Sequence, residues 1–273
     1  MMKSIYQLIH RLTFIALLAG SASAAPPPPA MTAKDLATKL GALQQDGSSY
    51  ARLTLEVKPL PDSPKVTLQL QIKQRRNATA TEMIYQVIWP KARAGEGVLL
   101  RQPAGQPASG AYFTPPDTLR PLTASQMKEA LFGSDLTLAD VLENFFVWQN
   151  QTIIGTEVVD RVSCQILESK PGKSQHSNYG SVRTWVDLRR MVPLRIDKYL
   201  PSGTLARRIA TTRVAADDLE RRIPADLTVS GVRADASTDL RGSRINHAVS
   251  YANGTFTADG LKDPSVPRRT ESP

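Results

Sequence analysis

Apolar and polar residues alternate with a period of two through much of the chain. The clearest runs are residues 52–57 and 65–73, in which every second side chain is aliphatic. The aliphatic positions of these runs are Leu53, Leu55, Val57, Val66, Leu68, Leu70 and Ile72. Such alternation is typical of a strand with one buried face and one solvent-exposed face.

Two segments have helical spacing instead. In the first, Thr32 and Asp35 have the spacing of a capping box, and Leu36, Leu40 and Leu43 recur on one helical face. The sequence therefore predicts a short amphipathic helix that begins at residue 32.

The second helical segment is FGSDLTLADVL, residues 132–142. Thr137 and Asp140 have capping-box spacing, and Ser134 and Asp135 are alternative N-caps, so the first residue of the helix stays open. One apolar stripe follows on the predicted helix. It consists of Leu138, Val141, Leu142 and Phe145.

Short alternating runs return at roughly ten-residue spacing after each helix, and about ten or eleven of them predict an antiparallel meander. We therefore predict a mainly β fold with a few helices, of the α+β class. A sheet covered by only two helices can leave an apolar hollow, whereas a sheet that closes on itself forms a packed core. Periodicity leaves both alternatives open.

The N-terminus predicts an exported protein. Lys3 and Arg11 precede an apolar run, and Ala22-Ser23-Ala24 has the small-x-small pattern of a cleavage site. We expect residues 1–24 to be a cleavable signal peptide and the mature protein to be periplasmic; a retained N-terminal anchor is the alternative. The predicted organisation then continues with a proline-rich linker at 25–31, one domain at 32–262 and a disordered tail at 263–273.

Composition limits the partners and the chemistry. The single cysteine, Cys164, has no disulfide partner and is in phase with apolar neighbours, which predicts a small buried side chain. The formal net charge is +9. Export argues against nucleic acid as a partner, so anionic lipid headgroups or solvated strand ends account for this charge.

Few residues suggest catalysis. His176 and His247 have no metal-ligand neighbour at helical or strand spacing, and the usual nucleophile and phosphate-binding motifs do not occur. Asp135 and Asp140 are five residues apart, which separates them on a helix. We therefore predict no enzyme, no metal site and no cofactor.

FGSDLTLADVL and the later stretch RTWVDLRRMVPLRIDKYLPSGTLAR together resemble the exported outer-membrane lipoprotein-sorting proteins, relatives of the LolA and LolB carriers. The matching positions are Gly133, Ser134, Asp135, Asp140, Trp185, Asp187, Pro193, Lys198, Tyr199 and Gly203. The order and spacing of these pieces carry the resemblance, because each piece alone is weak.

The resemblance implies a curved antiparallel half-barrel, wrapped around helices, that binds acyl chains of a lipid or lipoprotein without catalysis. The partners it implies are an inner-membrane export complex or an outer-membrane acceptor, with peripheral membrane contact and a monomeric carrier. The alternative is an envelope-stress regulator that uses the same fold to bind an anti-sigma factor or another protein.

On this reading the cavity is lined by the apolar faces of the strands and helices, and ordinary core is the competing interpretation. The residues expected to line it are Leu53, Leu55, Val57, Val66, Leu68, Leu70, Ile72, Leu36, Leu40, Leu138, Val141, Leu142 and Phe145.

Overall fold

The computed structural model describes residues 31–44, 47–58, 64–231, 236–242 and 245–270. The predicted signal peptide and all but the last residue of the predicted linker lie outside these residues. Among the described residues, no helix is long and apolar enough to cross a membrane.

Thirteen antiparallel strands form one sheet, in the order β6-β5-β4-β3-β2-β1-β13-β12-β11-β10-β9-β8-β7. The strands are β1 Gly47–Lys58, β2 Val66–Arg76, β3 Ala80–Trp89, β4 Gly97–Pro103, β5 Ser109–Thr114, β6 Thr118–Leu122, β7 Asn150–Val159, β8 Val162–Lys170, β9 Ser181–Asp187, β10 Val192–Tyr199, β11 Leu205–Ala216, β12 Arg222–Ser230 and β13 Ser237–Gly242. The mainly antiparallel β prediction is confirmed. The sheet does not close on itself, because β6 and β7 are its two edges.

The two halves of the chain meet at β1. Leu55 on β1 lies opposite Leu68 on β2 and opposite Leu240 on β13. This pairing extends the apolar stripe of the first two strands into the C-terminal half of the sheet. The sheet therefore has one continuous apolar face, which we call the inner face.

The strand count exceeds the predicted ten or eleven. The short strand β6 contains Pro121, and β13 has the polar sequence STDLRG, so neither shows the alternation that predicts a strand. Two further short strands, β14 at Val249–Ser250 and β15 at Arg268–Arg269, pair with each other outside this sheet.

The first helix, α1, spans Ala33–Gln44, and Thr32 caps it as predicted, since its hydroxyl accepts a hydrogen bond from the Asp35 backbone N at 3.1 Å. The second, α2, has only five residues, Leu138–Leu142. The prediction that Phe145 continues its stripe is wrong. Phe145 begins a separate 3-10 turn, because the Asn144 side chain accepts from the Phe146 backbone N and caps that turn.

The inner face is covered by α1 and by residues 131–147, which we call the cover segment. The cover segment comprises a 3-10 turn at Leu131–Gly133, α2, and a 3-10 turn at Phe145–Val147. It packs on the sheet through side chains and local turns and has almost no regular secondary structure of its own.

The outer face of β2 and β3 is covered as well, against expectation. Gln71 and Lys73, on the face that the alternation predicts to be wet, are 1% and 2% exposed. The Lys73 ammonium donates to the Asp263 carbonyl at 2.8 Å, and Gln71 Nε2 donates to the Pro264 carbonyl at 2.9 Å. Burial lowers the pKa of Lys73.

These contacts come from the C-terminal segment, whose short helix α3 spans Ala258–Lys262. Gln86 on β3 also donates to the Asp263 carbonyl, at 3.0 Å. Of the residues predicted as a disordered tail, Asp263 and Pro264 bind the sheet through their backbone carbonyls, and Arg268–Arg269 form β15, which pairs with β14. Composition does not indicate these two contacts, because they are made by backbone carbonyls, which every residue type carries.

Deleting residues 263–273 is expected to destabilise the protein. The deletion removes three hydrogen bonds to buried side chains, and at about 1 kcal/mol each the free energy of unfolding should fall by roughly 3 kcal/mol. Urea unfolding measures this change. The control is Val266→Ser, since Val266 is 52% exposed and its substitution should change stability by less than about 0.5 kcal/mol. An unchanged midpoint in the deletion would restore the disordered-tail prediction.

Candidate functional site

The predicted cavity residues lie on the inner face in two apolar clusters. The first contains the buried residues Leu55, Val57, Leu68, Leu70, Leu138 and Leu142, with Leu53, Ile72 and Val141 packed against it. The second contains Leu36, Leu40 and Phe145. Val66 is 37% exposed and belongs to neither cluster.

In this conformation the side chains of the first cluster fill the space between sheet and cover segment. Leu55, Leu68 and Leu138 are 0% exposed, so no water-sized space adjoins them. The packing matches the packed-core interpretation, with the cover segment occupying the place that the hollow was expected to have. The assignment of these residues to a lipid cavity stays a prediction.

Two open pockets lie elsewhere on the described surface. One of about 290 Å³ is lined by Thr156, Ser163, Cys164, Gln165, Asp187, Leu188 and Arg189. The other, of about 190 Å³, is lined by Thr212, Asp226, Leu227, Thr228, Asp239, Leu240 and Arg241. None of the residues predicted to line a lipid cavity contributes to either pocket.

The sequence left the N-cap of the second helix open, and in the structure Thr137 is that N-cap. Its hydroxyl accepts from the Asp140 backbone N at 3.2 Å, and its own backbone N donates to the Asp140 carboxylate at 2.8 Å. The other candidates have different roles. Ser134 binds within the preceding turn, where its hydroxyl accepts from the Leu136 backbone N at 3.2 Å, and Gly133 has a φ of +82° that favours glycine.

Asp135 attaches the start of the cover segment to β13. The Asp135 carboxylate accepts a hydrogen bond from the Thr238 hydroxyl at 2.8 Å, and the Asp135 backbone N donates to the oxygen of that hydroxyl at 2.9 Å. Thr238 is fully buried. This paired contact fixes one end of the cover segment on the sheet.

Asp140 makes the second attachment through a buried ion cluster. Its carboxylate accepts from Lys198 Nζ at 2.7 Å, from the Tyr179 hydroxyl at 2.8 Å, and from Arg207 Nη1. The side chains of Asp140 and Lys198 are 0% and 1% exposed. The Lys198 ammonium also lies 4.9 Å from the centre of the Tyr179 ring and 5.7 Å from that of Phe145.

The surroundings of Asp140 determine the protonation state of its carboxylate. Burial raises the pKa of Asp140, but the positive charges of Lys198 and Arg207, together with the hydrogen bonds from Lys198 and Thr137, lower it to about 2. Glu143, also on the cover segment, has a carboxylate oxygen 3.9 Å from Lys198 Nζ, and burial raises its pKa. Asp140 is therefore an anion throughout the physiological pH range.

Arg76 makes the third attachment. Its Nη2 donates to the backbone carbonyl of Val141 at 2.9 Å, and the residue is 8% exposed. The cover segment is thus bound to β2 as well as to β10, β11 and β13, through a few polar contacts at separate points.

The sequence motif includes Lys198 but not Arg76 or Arg207, although the sequence carries a signal for all three cations. Arg76 is in phase with Leu70 and Ile72 on β2, Lys198 with Ile196 on β10, and Arg207 with Ile209 on β11. Each cation occupies an inner-face position of its strand. A charge at such a position predicts a buried partner from the opposite layer.

The remaining residues of the family motif shape the meander from β9 to β11. They are Trp185, Asp187, Pro193, Tyr199 and Gly203. The Asp187 carboxylate accepts from the Arg189 backbone N at 2.9 Å in the β9–β10 turn. The Trp185 indole donates to Glu157 at 2.7 Å, and Gly203 adopts a φ of +85° in the β10–β11 turn.

Asp217, Asp218 and His247 also lie together, with one potential ligand atom of each within 4.8 Å of the others. Their polar atoms already have partners in the chain. His247 Nδ1 is 2.5 Å from the Asp218 carboxylate and its Nε2 is 2.9 Å from Arg221 Nη2. Asp217 accepts from the backbone N of Leu219 and of Arg221. As arranged, the group stabilises a turn.

Comparisons with known proteins agree with this fold. A family model described as "Uncharacterized protein" matches residues 79–263, which include the cover segment and all the motif residues. The chain belongs to this family. No curated protein matches the chain significantly.

Solved structures share the architecture. They include a DUF1329 family protein from Desulfovibrio piger, 19% identical, with a TM-score of 0.76 over 84% of this chain and 97% of that one. A domain from Vibrio parahaemolyticus described as an outer-membrane lipoprotein-sorting protein is 15% identical, with a TM-score of 0.74 over 84% and 98%. A LolA superfamily protein from Nitrosomonas europaea is 18% identical, with a TM-score of 0.67 over 85% and 100%. The resemblance to lipoprotein-sorting proteins is thus confirmed at the level of the fold.

Asp140→Asn is expected to destabilise the protein at neutral pH by about 3 kcal/mol, because it leaves Lys198 and Arg207 buried with a neutral partner. The folded pKa of Asp140 is depressed to about 2, so its contribution is complete above about pH 4 and is lost as the pH falls through 2. The difference between wild type and variant should therefore shrink below pH 4. Urea unfolding at a series of pH values measures it.

The control for this experiment is Asp226→Asn. Asp226 pairs with Arg213, whose side chain is 50% exposed, so its loss should cost less than about 1 kcal/mol. Equal losses in the two variants would show that the Asp140 cluster is no stronger than a surface ion pair.

Proposed function

We propose that this protein is a periplasmic carrier that binds acyl chains of a lipid or lipoprotein beneath the cover segment, in trafficking toward the outer membrane. The observation that carries the proposal is the construction of the inner face. A broad aliphatic surface is covered by a short segment with a single five-residue helix, held to the sheet by polar side chains at three separate places.

The shared fold supports the proposal. The Vibrio parahaemolyticus domain is described as a lipoprotein-sorting protein and the Nitrosomonas europaea protein as a LolA superfamily member. An open sheet with a covered inner face suits the half-barrel expected from the sequence. Carriage of this kind involves no catalysis and no cofactor, and it uses an inner-membrane donor and an outer-membrane acceptor as partners of a monomer.

Ligand uptake would exchange one set of apolar contacts for another. When the cover segment moves away, Leu138 and Leu142 leave the first apolar cluster, and an acyl chain takes their place on the sheet. Each buried methylene contributes about 0.8 kcal/mol, so an acyl chain of about a dozen carbons supplies roughly 9 kcal/mol. Gains of that size can offset the cost of separating the three polar attachments.

A reversible disulfide between the cover segment and β13 tests this mechanism. Asp135 and Thr238 are the side chains that join the cover segment to β13, at 2.8 Å, so we place the cysteine pair at these two positions. We expect the oxidised Asp135→Cys/Thr238→Cys variant to lose binding of a fluorescent 12-carbon fatty acid at least tenfold, and reduction to restore it. Cys164 is 1% exposed and stays in all variants.

The wild-type protein, treated with the same oxidant and reductant, is the control. Equal binding by the oxidised and reduced forms would show that the ligand does not enter beneath the cover segment. If neither the wild type nor the reduced variant binds any acyl chain, the carrier function fails. Co-purification of a stoichiometric membrane protein would then favour the alternative, an envelope-stress regulator that binds a protein partner.

A further inference from the structure

The ion cluster under α2 divides its charges unequally between the two layers. Both cations, Lys198 and Arg207, belong to the sheet. Both carboxylates, Asp140 and Glu143, belong to the cover segment. Separating the layers therefore leaves two positive charges on the inner face and removes the anions that neutralise them.

After opening, the exposed cations would keep a third polar group beside them, the hydroxyl of Tyr179. Tyr179 lies just before β9, and its hydroxyl donates to Asp140 and accepts from Arg207 Nη1 at 2.9 Å. A guanidinium, an ammonium and a phenol hydroxyl would then point at the place that the Asp140 carboxylate had occupied. Such a set of donors suits a carboxylate or a phosphate, because both accept several charge-assisted hydrogen bonds at once.

The cations also lie at the junction of the two apolar clusters. Leu138 and Leu142, on either side of Asp140, belong to the first cluster. Tyr179 and Phe145, whose rings face Lys198 Nζ, belong to the second. A ligand whose charged group sits at Lys198 and Arg207 can therefore lay an apolar chain on either cluster without crossing polar surface.

We propose that the ligand is an anionic amphiphile whose carboxylate or phosphate replaces the Asp140 carboxylate at Lys198, Arg207 and Tyr179 when the cover segment opens. This inference rests on the proposed function, since it concerns the headgroup of a ligand that binds beneath the same segment. Without such an anion, opening leaves two cations uncompensated in an apolar setting, which is costly. A neutral lipid makes the same apolar contacts and does not remove that cost.

Three probes with the same 12-carbon chain separate the headgroup from the chain: lauric acid, lauryl phosphate and lauryl alcohol. For the wild-type protein, titration calorimetry should give a dissociation constant at least about tenfold lower for one or both anionic probes than for the alcohol. A preference for lauric acid identifies a carboxylate ligand, and a preference for lauryl phosphate identifies a phosphate headgroup.

Variants on β11 locate the effect. Arg207→Gln is expected to bring the ratio of dissociation constants, alcohol to anion, close to one. The matched control is Arg213→Gln on the same strand, where the arginine pairs with Asp226 and is 50% exposed, and the ratio should not change.

Asp140→Asn provides a second test. Removing the competing carboxylate should tighten binding of the anionic probes more than binding of the alcohol.

The outcomes distinguish this inference from the function on which it rests. If all three probes bind the wild type with equal affinity, the headgroup proposal is overturned and acyl-chain binding stands. If no probe binds, both are overturned. An anion preference that survives in Arg207→Gln and is unaltered in Asp140→Asn would place the headgroup elsewhere and overturn the inference.

Discussion

Asp140 is the residue through which the capping of α2 and one attachment of the cover segment to the sheet are combined. Its carboxylate caps α2 through Thr137 and, at the same time, binds Lys198 and Arg207 on the sheet. Local helix formation and attachment to the sheet therefore depend on one side chain. A one-turn helix has little stability of its own. The position of Leu138 and Leu142 over the apolar strands is consequently determined by an ion cluster as much as by hydrophobic contact.

The open sheet creates the need for this attachment. Thirteen strands leave an inner face too broad for one helix of twelve residues, and the chain covers the rest with turns. Turns bury their apolar side chains only when their backbone polar groups find partners. Arg76 supplies one such partner at Val141, and Thr238 supplies another at Asp135. The attachments are few and polar, and the proposed opening would break them while leaving the hydrogen bonds between strands in place.

The outer face of the sheet is covered by a different part of the chain. There the C-terminal segment binds β2 and β3 through the carbonyls of Asp263 and Pro264, and Phe256 and Leu261 pack with Ile84. The family match ends at residue 263, where these contacts are made. The central residues of β2 and β3 are therefore buried on both faces of the sheet. In the proposed mechanism this face stays covered while the cover segment opens on the other.

The sequence by itself determined the antiparallel strands, the capped start of α1 and the apolar face of Leu55, Leu68 and Leu70, because alternation and capping are local patterns. It also indicated, through the spacing of Gly133, Asp140 and Lys198, which fold the chain adopts. Only the tertiary structure decided that Asp140 meets Lys198 and Arg207, that α2 ends before Phe145, and that Lys73 is buried by a segment 190 residues away. Those outcomes depend on contacts between residues far apart in the chain. Such contacts determine the environment of each charge, and no local sequence pattern contains them.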